Sequence, residues 1–386
     1  MNNPGQPTTF VLTATPAPSY GARPMHVHLL ILNFNGRRLL AECLPSVVEA
    51  ARCSRHRCDV AVIDNASRDD SVAWLGEHYP QVGIIRRPNR GLCSYNNVVP
   101  LLPGRVAVLL NNDVKLDPGC VDPLVEPLES PSRFFMTAPL CWGFDGRSYE
   151  GLRTAVDWHW GLVRATALFP GHEPGIRRAG PTASAGAVMA VDRQKFAELG
   201  GFDPVYLPGR LEDLDLAFRA YLAGYRAWYV PEAVAYHQGM ATFGGVYGRA
   251  GCDALALRNT LLFQWKNLHD PRHLARQVFG LLVRLAAETV RAPWAPPQRR
   301  FALVKGLLAA LRRGGKLRAG AFCAPRNSGR ERAFFEEFHP RRMRSAVGQA
   351  SLPAGSSQAS LPAKPRQMPG PRGLFAPLAG RNACPT

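Results

Sequence analysis

Val106-Ala107-Val108-Leu109-Leu110-Asn111-Asn112-Asp113 is the stretch on which the reading of this chain turns. Five aliphatic residues run into two amides and an acid with no turn residue between them. A run this short and apolar reads as a strand buried on both faces, the kind found inside a parallel sheet. Ligands of such sheets bind beyond the carboxyl ends of the strands. Asn111, Asn112 and Asp113 therefore fall where a site would be, offering oxygen ligands to a hard cation or to ribose hydroxyls. The same triplet also suits a plain turn, because Lys115-Leu116-Asp117-Pro118-Gly119 follows as a turn signal.

Working upstream, Val27 to Leu32 forms a first strand that ends in Asn33-Phe34-Asn35-Gly36. Leu39, Leu40, Cys43, Leu44 and Val47 then repeat at helical spacing, with Pro45 expected to kink or interrupt the helix. Val60 to Ile63 is a second strand ending in Asp64-Asn65. Ser67 with Asp70 resembles an N-terminal cap, and Val72 and Leu75 face inward on the helix that follows. Val82 to Ile85 is a third strand, followed by the loop Arg86 to Gly91 and a helix carrying Asn96 and Asn97. Strands and helices alternate over about ninety residues, which predicts a doubly wound, mostly parallel α/β sheet. Neither Gly-x-Gly-x-x-Gly nor a Walker A loop is present, which counts against dehydrogenases and ATPases. Phosphates must then be held another way, most simply through a cation on Asp113.

Downstream comes an aromatic-rich piece, Trp142 to Trp160, then a strand from Ala187 to Val191. Lys195-Phe196, Gly200-Gly201-Phe202-Asp203 and the acidic cluster Glu212-Asp213-Leu214-Asp215 follow. Leu214, Ala217, Phe218 and Tyr221 mark an amphipathic helix, and Gly224 stands where a left-handed C-terminal cap belongs. Three carboxylates in its first turn are either favourable charges at a helix N-terminus or reactive groups. Trp228, Tyr229 and Val230 precede Pro231, and Val234 to Tyr236 run into His237, a structural histidine or a metal ligand.

The chain has 386 residues, 46% of them apolar, as in a globular protein. Its net charge of +18 implies an anionic partner. Nine cysteines at irregular spacing, with no Cys-x-x-Cys, point to a reducing compartment rather than a disulfide framework. No signal peptide is expected from the first residues, and no run of eighteen apolar residues occurs. Residues 1–24 and 346–386 are low in complexity and expected to be disordered; Gln349 to Ala354 recurs as Gln358 to Ala363.

From Pro271 to Ser345, 17 Lys and Arg stand against 4 Asp and Glu, a net of +13. Asp270 and Pro271 supply a cap and a first helical residue. On that helix Arg272, Arg276, Arg284 and Arg291 share one side, while Val278, Leu282 and Leu285 take another. Phe301 to Arg313 repeats the arrangement with Val304, Leu307, Leu308 and Leu311 against Lys305 and Arg312. Such helices either lie on an anionic membrane or cover the rest of the protein and show their charges to water. Nucleic acid is disfavoured, because no reader motif accompanies the charge.

The order of these motifs resembles that of the inverting GT-A glycosyltransferases, the large family that includes bacterial rhamnosyltransferases and polysaccharide transferases. The matching pieces are Leu32 to Gly36, Ile63 to Ser67, Asn89-Arg90-Gly91 with Asn96-Asn97, Leu110 to Asp113, Gly200 to Asp203, Glu212 to Asp215 with Arg219, and Tyr229 to His237. Arg258-Asn259 to Trp265-Lys266-Asn267 resembles a segment that follows the catalytic domain in some members.

The resemblance implies a GT-A catalytic domain over 25–250, with a nucleotide-binding half at 25–118 and an acceptor half at 119–250. A basic helical extension would follow at 251–345. It also implies that Asp64 hydrogen-bonds a pyrimidine base and that the Asn33 to Gly36 loop lines the nucleoside pocket. Asn33, Asn35, Asn65, Asn89, Asn97 and Asn112 join Asp64 as expected donor-binding residues. Asp113 matches the last acid of the family's Asp-x-Asp motif, which binds a divalent metal (Mg²⁺ or Mn²⁺), with His237 as a second ligand. The first acid of that motif is Asn111 here, which lowers the charge of the site. Asp213 matches the catalytic base, although the aromatic residue that often precedes the Glu-Asp pair is Leu211 here. Asp215, about 200° around the helix from Asp213, is expected to be a structural charge of the cap region.

The implied partners are a nucleotide-diphosphate sugar, a glycan or lipid-linked acceptor and an anionic membrane surface. The implied location is the cytoplasmic face of the cell membrane. A sugar nucleotidyltransferase would want a phosphate loop rich in Gly, Arg and Lys after the first strand, which Gly36-Arg37-Arg38 does not supply. A catalytically silent sugar-nucleotide binder or membrane-surface scaffold would tolerate loss of Asp213.

Overall fold

The computed structural model describes residues 24–129, 133–239, 241–294, 301–315 and 326–345. The disorder expected over 1–24 and 346–386 falls, apart from Pro24, outside the described residues. Strands β1 (His26–Asn33), β2 (Arg57–Asp64), β3 (Gly83–Arg86) and β4 (Val106–Asn111) alternate with helices α1 (Arg37–Cys53) and α2 (Ser71–His78). All four strands are parallel, with β1 between β2 and β4. Val27, Leu29, Leu30 and Ile31 of β1 and the whole run Val106 to Leu110 are buried. Apolar side chains on both faces are what a strand covered on both sides requires. The register pairs Asn33 with Asp64 and Leu32 with Asn111, so the polar strand ends form one rim.

The second half adds β5 (Val114–Leu116), α3 (Val121–Val125), β6 (Phe134–Gly143), β7 (Tyr149–Gly151) and a separate hairpin, β8 (Ala155–His159) with β9 (Leu162–Thr166). Then come β10 (Gly180–Pro181), β11 (Val188–Asp192), α4 (Arg193–Glu198), α5 (Glu212–Ala223) and β12 (Arg226–His237). The main path of the large sheet is β10-β12-β6-β11-β4-β1-β2-β3. β11 runs antiparallel to β4 and β6, and β12 is parallel to β6. Because β11 enters the sheet beside Leu110, the segment leading into it passes the carboxyl end of β4.

Three local expectations are corrected. Pro45 neither breaks nor ends α1, which continues to Cys53 because Leu40, Cys43, Leu44, Val47 and Ala50 bury one continuous face. Tertiary burial there outweighs the lost backbone bond. Ser67 does not cap α2: its hydroxyl accepts from Asn35 N at 2.9 Å, and the polar group at the helix start is Asp69, which accepts from Ser71. Asn96 and Asn97 lie on a 3₁₀ turn, Gly91–Asn97, rather than an α-helix.

The C-terminal helices are α6 (Ala241–Asn267), turned at Gly248, then α7 (Pro271–Arg291), α8 (Ala302–Gly314), α9 (Ser328–Glu337) and α10 (Pro340–Ser345). A second core joins Phe218 and Tyr221 of α5 to Leu261, Leu262 and Phe263 of α6 and to Phe334, Phe335, Phe338 and Met343. Phe218 and Phe334 meet edge to face at 4.8 Å, a favoured aromatic geometry. The helices thus brace the element that carries the acidic cluster.

Of the two arrangements open for helix α7, the one that covers the protein with the apolar side and shows the charges to water is not found. The buried residues of α7 are Gln277 and Gly280, while Val278, Phe279 and Leu282 are 59%, 69% and 61% exposed. A Cβ on Gly280 would lie 2.3 Å from the Gly161 backbone, so two glycines allow α7 to touch the β8-β9 turn. Arg284 donates to the carbonyls of His159 and Trp160, and Arg276 lies over the Trp158 ring. These two arginines therefore face the protein, and the apolar stripe faces outward. The reason is that the hairpin turn offers carbonyls and an indole face, which guanidinium satisfies and leucine does not. On α8, Leu308 and Leu311 are likewise exposed.

Candidate active site

At the rim, Asn112 Nδ2 donates to Asn33 Oδ1 at 2.8 Å, tying β4 to β1. A Cβ on Gly36 would fall 2.1 Å from Asn112 Nδ2 and 2.3 Å from Asn33 Oδ1, so only glycine fits over this pair. Asn35 takes a positive φ of 48°, and its Oδ1 accepts from Arg68 N at 2.7 Å. The loops after β1 and β2 are thereby laced together. Asp64 is buried at the end of β2; its Oδ2 accepts from Ser67 N, whereas its Oδ1 is buried without a hydrogen-bond donor among the described residues. A buried acceptor left bare in this way is costly unless a ligand N–H completes it.

The other expected donor-binding residues divide. Asn65 donates to Gly91 O and accepts from Ser94 Oγ, holding the loop after β3 to the rim. Asn89 accepts from Gly91 N and shapes the turn, while both it and Asn97 are exposed. Asn96 instead clamps Phe202, donating to its carbonyl at 2.7 Å and accepting from its N–H at 2.8 Å.

Asp113 is 5% exposed, and its Oδ1 lies 3.4 Å from His237 Nε2. β12 delivers His237 there because it pairs with Val114, the residue after Asp113. His237 Nδ1 is 3.8 Å from Glu150 Oε2, an acid that no sequence signal had singled out. Burial works against protonation of His237, but the carboxylates of Asp113 and Glu150 outweigh it and raise its proton affinity. Among the described residues, Asp113 Oδ1 is buried without a hydrogen-bond donor. A buried, donor-less carboxylate oxygen beside an imidazole and a second carboxylate fits a divalent cation in charge and ligand type.

Across the rim, Asp213 stands in the first turn of α5, where Ser184 Oγ donates to its Oδ2 at 2.6 Å. Ser184 precedes β11 in a run of small residues, Ala183-Ser184-Ala185-Gly186, which was the only sequence trace of its role. Ala187 O accepts from Asn111 N at 3.2 Å, so this run lies against the end of β4. Burial first, and then the neighbouring charge of Asp213, push the Glu212 carboxyl up to about 8. Glu212 is therefore neutral at pH 7.

The turn ahead of α5 is held by force. Arg210 and Leu211 adopt φ of 84° and 68°, each of which costs about 1 to 3 kcal/mol for a residue with a side chain. Asn259 of α6, fully buried, brings its Nδ2 within 2.9 Å of the carbonyls of Tyr206, Gly209 and Arg210. Asp215 is not a cap-region charge but a buried hub. It accepts from Tyr206 and Asn267, and pairs with Arg219 and Lys266. Burial alone would raise its pKa; Arg219 and Lys266 override that and hold it down at about 2.

A curled, mostly parallel sheet whose carboxyl-end rim carries acids from both halves is the architecture of the GT-A fold. Residues 29–178 match the family described as Glycosyl transferase family 2. It is 29% identical to N-acetylgalactosaminyltransferase 7 of Drosophila melanogaster over 53% of this chain and 37% of that one. It is 27% identical to the N-acetylglucosaminyl-diphospho-decaprenol L-rhamnosyltransferase of Mycobacterium tuberculosis over 46% of this chain and 66% of that one. The chain thus spans about a third and about two thirds of these relatives' lengths. Among solved structures, GalNAc-T7 with UDP, GalNAc and Mn²⁺ superposes with a TM-score of 0.51 at 18% identity, covering 83% of this chain and 56% of that one.

Proposed function

We propose that this protein transfers a sugar, with inversion, from a nucleotide-diphosphate donor to a hydroxyl of a glycan or lipid-linked acceptor. The observation that carries the reading is the convergence of Asp113-His237 and Ser184-Asp213 on one end of the sheet, beside the bare Asp64 Oδ1. In this reading Asp64 accepts an N–H of a pyrimidine base, and the loop from Asn33 to Gly36 lines the nucleoside. Asp113 and His237 would hold a divalent cation, Mg²⁺ or Mn²⁺, which supplies neutralisation of the departing diphosphate. Asp213 takes the proton of the acceptor hydroxyl as its oxygen bonds to the anomeric carbon and the bond from that carbon to the diphosphate oxygen breaks. The outward stripe of α7 with Leu308 and Leu311 of α8 fits the acyl boundary of a membrane, with Arg272, Arg291, Lys305 and Arg312 available to anionic headgroups. That arrangement suits an acceptor held at the cytoplasmic face of a membrane.

The test is a panel of nucleotide sugars with Mg²⁺ or Mn²⁺, read by thermal shift and by nucleoside diphosphate release in the presence of lipid-linked acceptors. A matched donor at a hundred times its dissociation constant should stabilise by about 2.7 kcal/mol. Stabilisation by a donor without release under any acceptor would make the protein a silent binder. Absence of both would end the reading.

A further inference from the structure

A second cluster of metal-ligating side chains stands at the opposite end of the sheet. His26 and His28 alternate on β1, so both project from the same face, and the register sets Asp59 of β2 directly opposite His28. His26 Nε2 is in short contact with Asp59 Oδ2, His28 Nδ1 is 3.8 Å from the same oxygen, and the two rings are 4.3 Å apart. Among the described residues this is the group of His, Cys, Asp and Glu ligand atoms gathered within 4.8 Å of one another. It is not the rim site: Asn33 lies seven residues beyond His26 along β1, about 23 Å at the rise of an extended strand.

Tautomer logic gives the cluster its direction. His28 Nε2 is 2.8 Å from the carbonyl oxygen of Pro103, which can only accept, so Nε2 carries the hydrogen. The neutral ring then presents a lone pair at Nδ1 toward the Asp59 carboxylate oxygen that His26 Nε2 also touches. An imidazole fixed by a hydrogen bond from its far nitrogen to a carbonyl is the usual support of a metal-bound histidine. His28 and Asp59 are 4% and 6% exposed, whereas His26, with its side chain 20% exposed, leaves a way in from solvent.

We propose that His26 Nε2, His28 Nδ1 and Asp59 form a structural site for a divalent cation of the zinc class, pinning the amino-terminal ends of β1 and β2. Two imidazole nitrogens and one carboxylate oxygen suit Zn²⁺ or Co²⁺ and are a poor set for Mg²⁺. Ligand atoms about 2.0 to 2.1 Å from a tetrahedral ion sit about 3.3 Å apart. The His28–Asp59 separation must therefore close by about half an ångström, and the His26–Asp59 contact must open by about one, within side-chain reach. A fourth position is left to water.

The experiment uses the full chain carrying Asp113→Ala, stripped with EDTA, so that the rim does not contribute. Titration with Co²⁺ alone should give the visible bands of a tetrahedral ion at one equivalent, displaced by Zn²⁺ and not by Mg²⁺. His26→Ala, which removes the most exposed ligand, and isosteric Asp59→Asn should each weaken binding at least about 100-fold, beyond the loss of a supporting hydrogen bond. Unchanged melting of metal-free His26→Ala confirms that it folds. No Co²⁺ bands, or bands that survive both substitutions, would overturn the proposal and leave an ordinary His-Asp ion pair. The result is independent of whether the protein transfers sugar.

Discussion

Ser184 and Asp213, 29 residues apart, share a hydrogen bond of 2.6 Å that fixes one carboxylate oxygen of the acid at the head of α5. If Asp213 is the base, Asp213→Asn should keep the fold and donor affinity and lose turnover by about 10²- to 10⁴-fold, the usual worth of a positioned base. Ser184→Ala removes orientation but not the charge, and should lower turnover by about tenfold with donor affinity unchanged. Transfer rates and donor titrations on both variants decide the matter; a fully active Asp213→Asn enzyme ends the assignment.

Glu212 predicts a pH dependence. Its folded pKa of about 8 is above the ordinary carboxylate value, so its contribution to stability is present below about pH 4.5 and is lost as pH rises through about 8. Glu212→Gln should therefore match wild type in turnover at pH 7 and melt higher than wild type at pH 9. Equal melting of the two proteins across pH 6 to 9 would show that the carboxyl is not perturbed.

At the rim, Asp113→Ala removes the only acid of Asn111-Asn112-Asp113. Metal-dependent binding of a nucleoside diphosphate should fall by at least about tenfold, while binding in EDTA stays as in wild type. Calorimetric titrations with and without EDTA measure this, and equal affinities in all four combinations would rule out the metal role.

Asp215 tests the buried hub. Replacing it with Asn breaks the buried pair with Arg219 and takes from Lys266 one of its two carboxylates, the other being Asp203, a loss of about 3 to 5 kcal/mol. Because its folded pKa is depressed, its stabilisation is present above about pH 4 and disappears as pH falls through about 2. Denaturant midpoints of wild type and variant should converge toward pH 2. A wild-type melting temperature in Asp215→Asn at pH 7 would contradict the network.

Helix α7 gives the membrane prediction. Val278, Phe279 and Leu282 changed together to Ser should release the protein from anionic vesicles without lowering its melting temperature, because these side chains are exposed. Arg284→Glu, by contrast, should lower the melting temperature, since its guanidinium holds the β8-β9 turn. Failure of the wild type to co-sediment with vesicles at low salt would overturn the membrane role.

What the sequence determined by itself is the part written in short-range periodicity. Apolar runs such as Val27 to Leu32 and Val106 to Leu110 can be covered only inside a sheet, and the Asn and Asp residues that end them mark its rim. Gly224 at a positive φ likewise follows from local geometry. Only the tertiary structure decided which polar residues do what. Asn33 and Asn112 spend their amides on each other, and Asp215 is a buried hub although it looks no different in sequence from Asp213. Glu150 and Ser184 join the rim without any motif, through strand register and a segment packed beside β4. Helical periodicity showed that α7 has a basic side and an apolar side, but not which turns inward. That was set by the partner surface, where the carbonyls of His159 and Trp160 and the ring of Trp158 take up arginine and leave Val278, Phe279 and Leu282 outside.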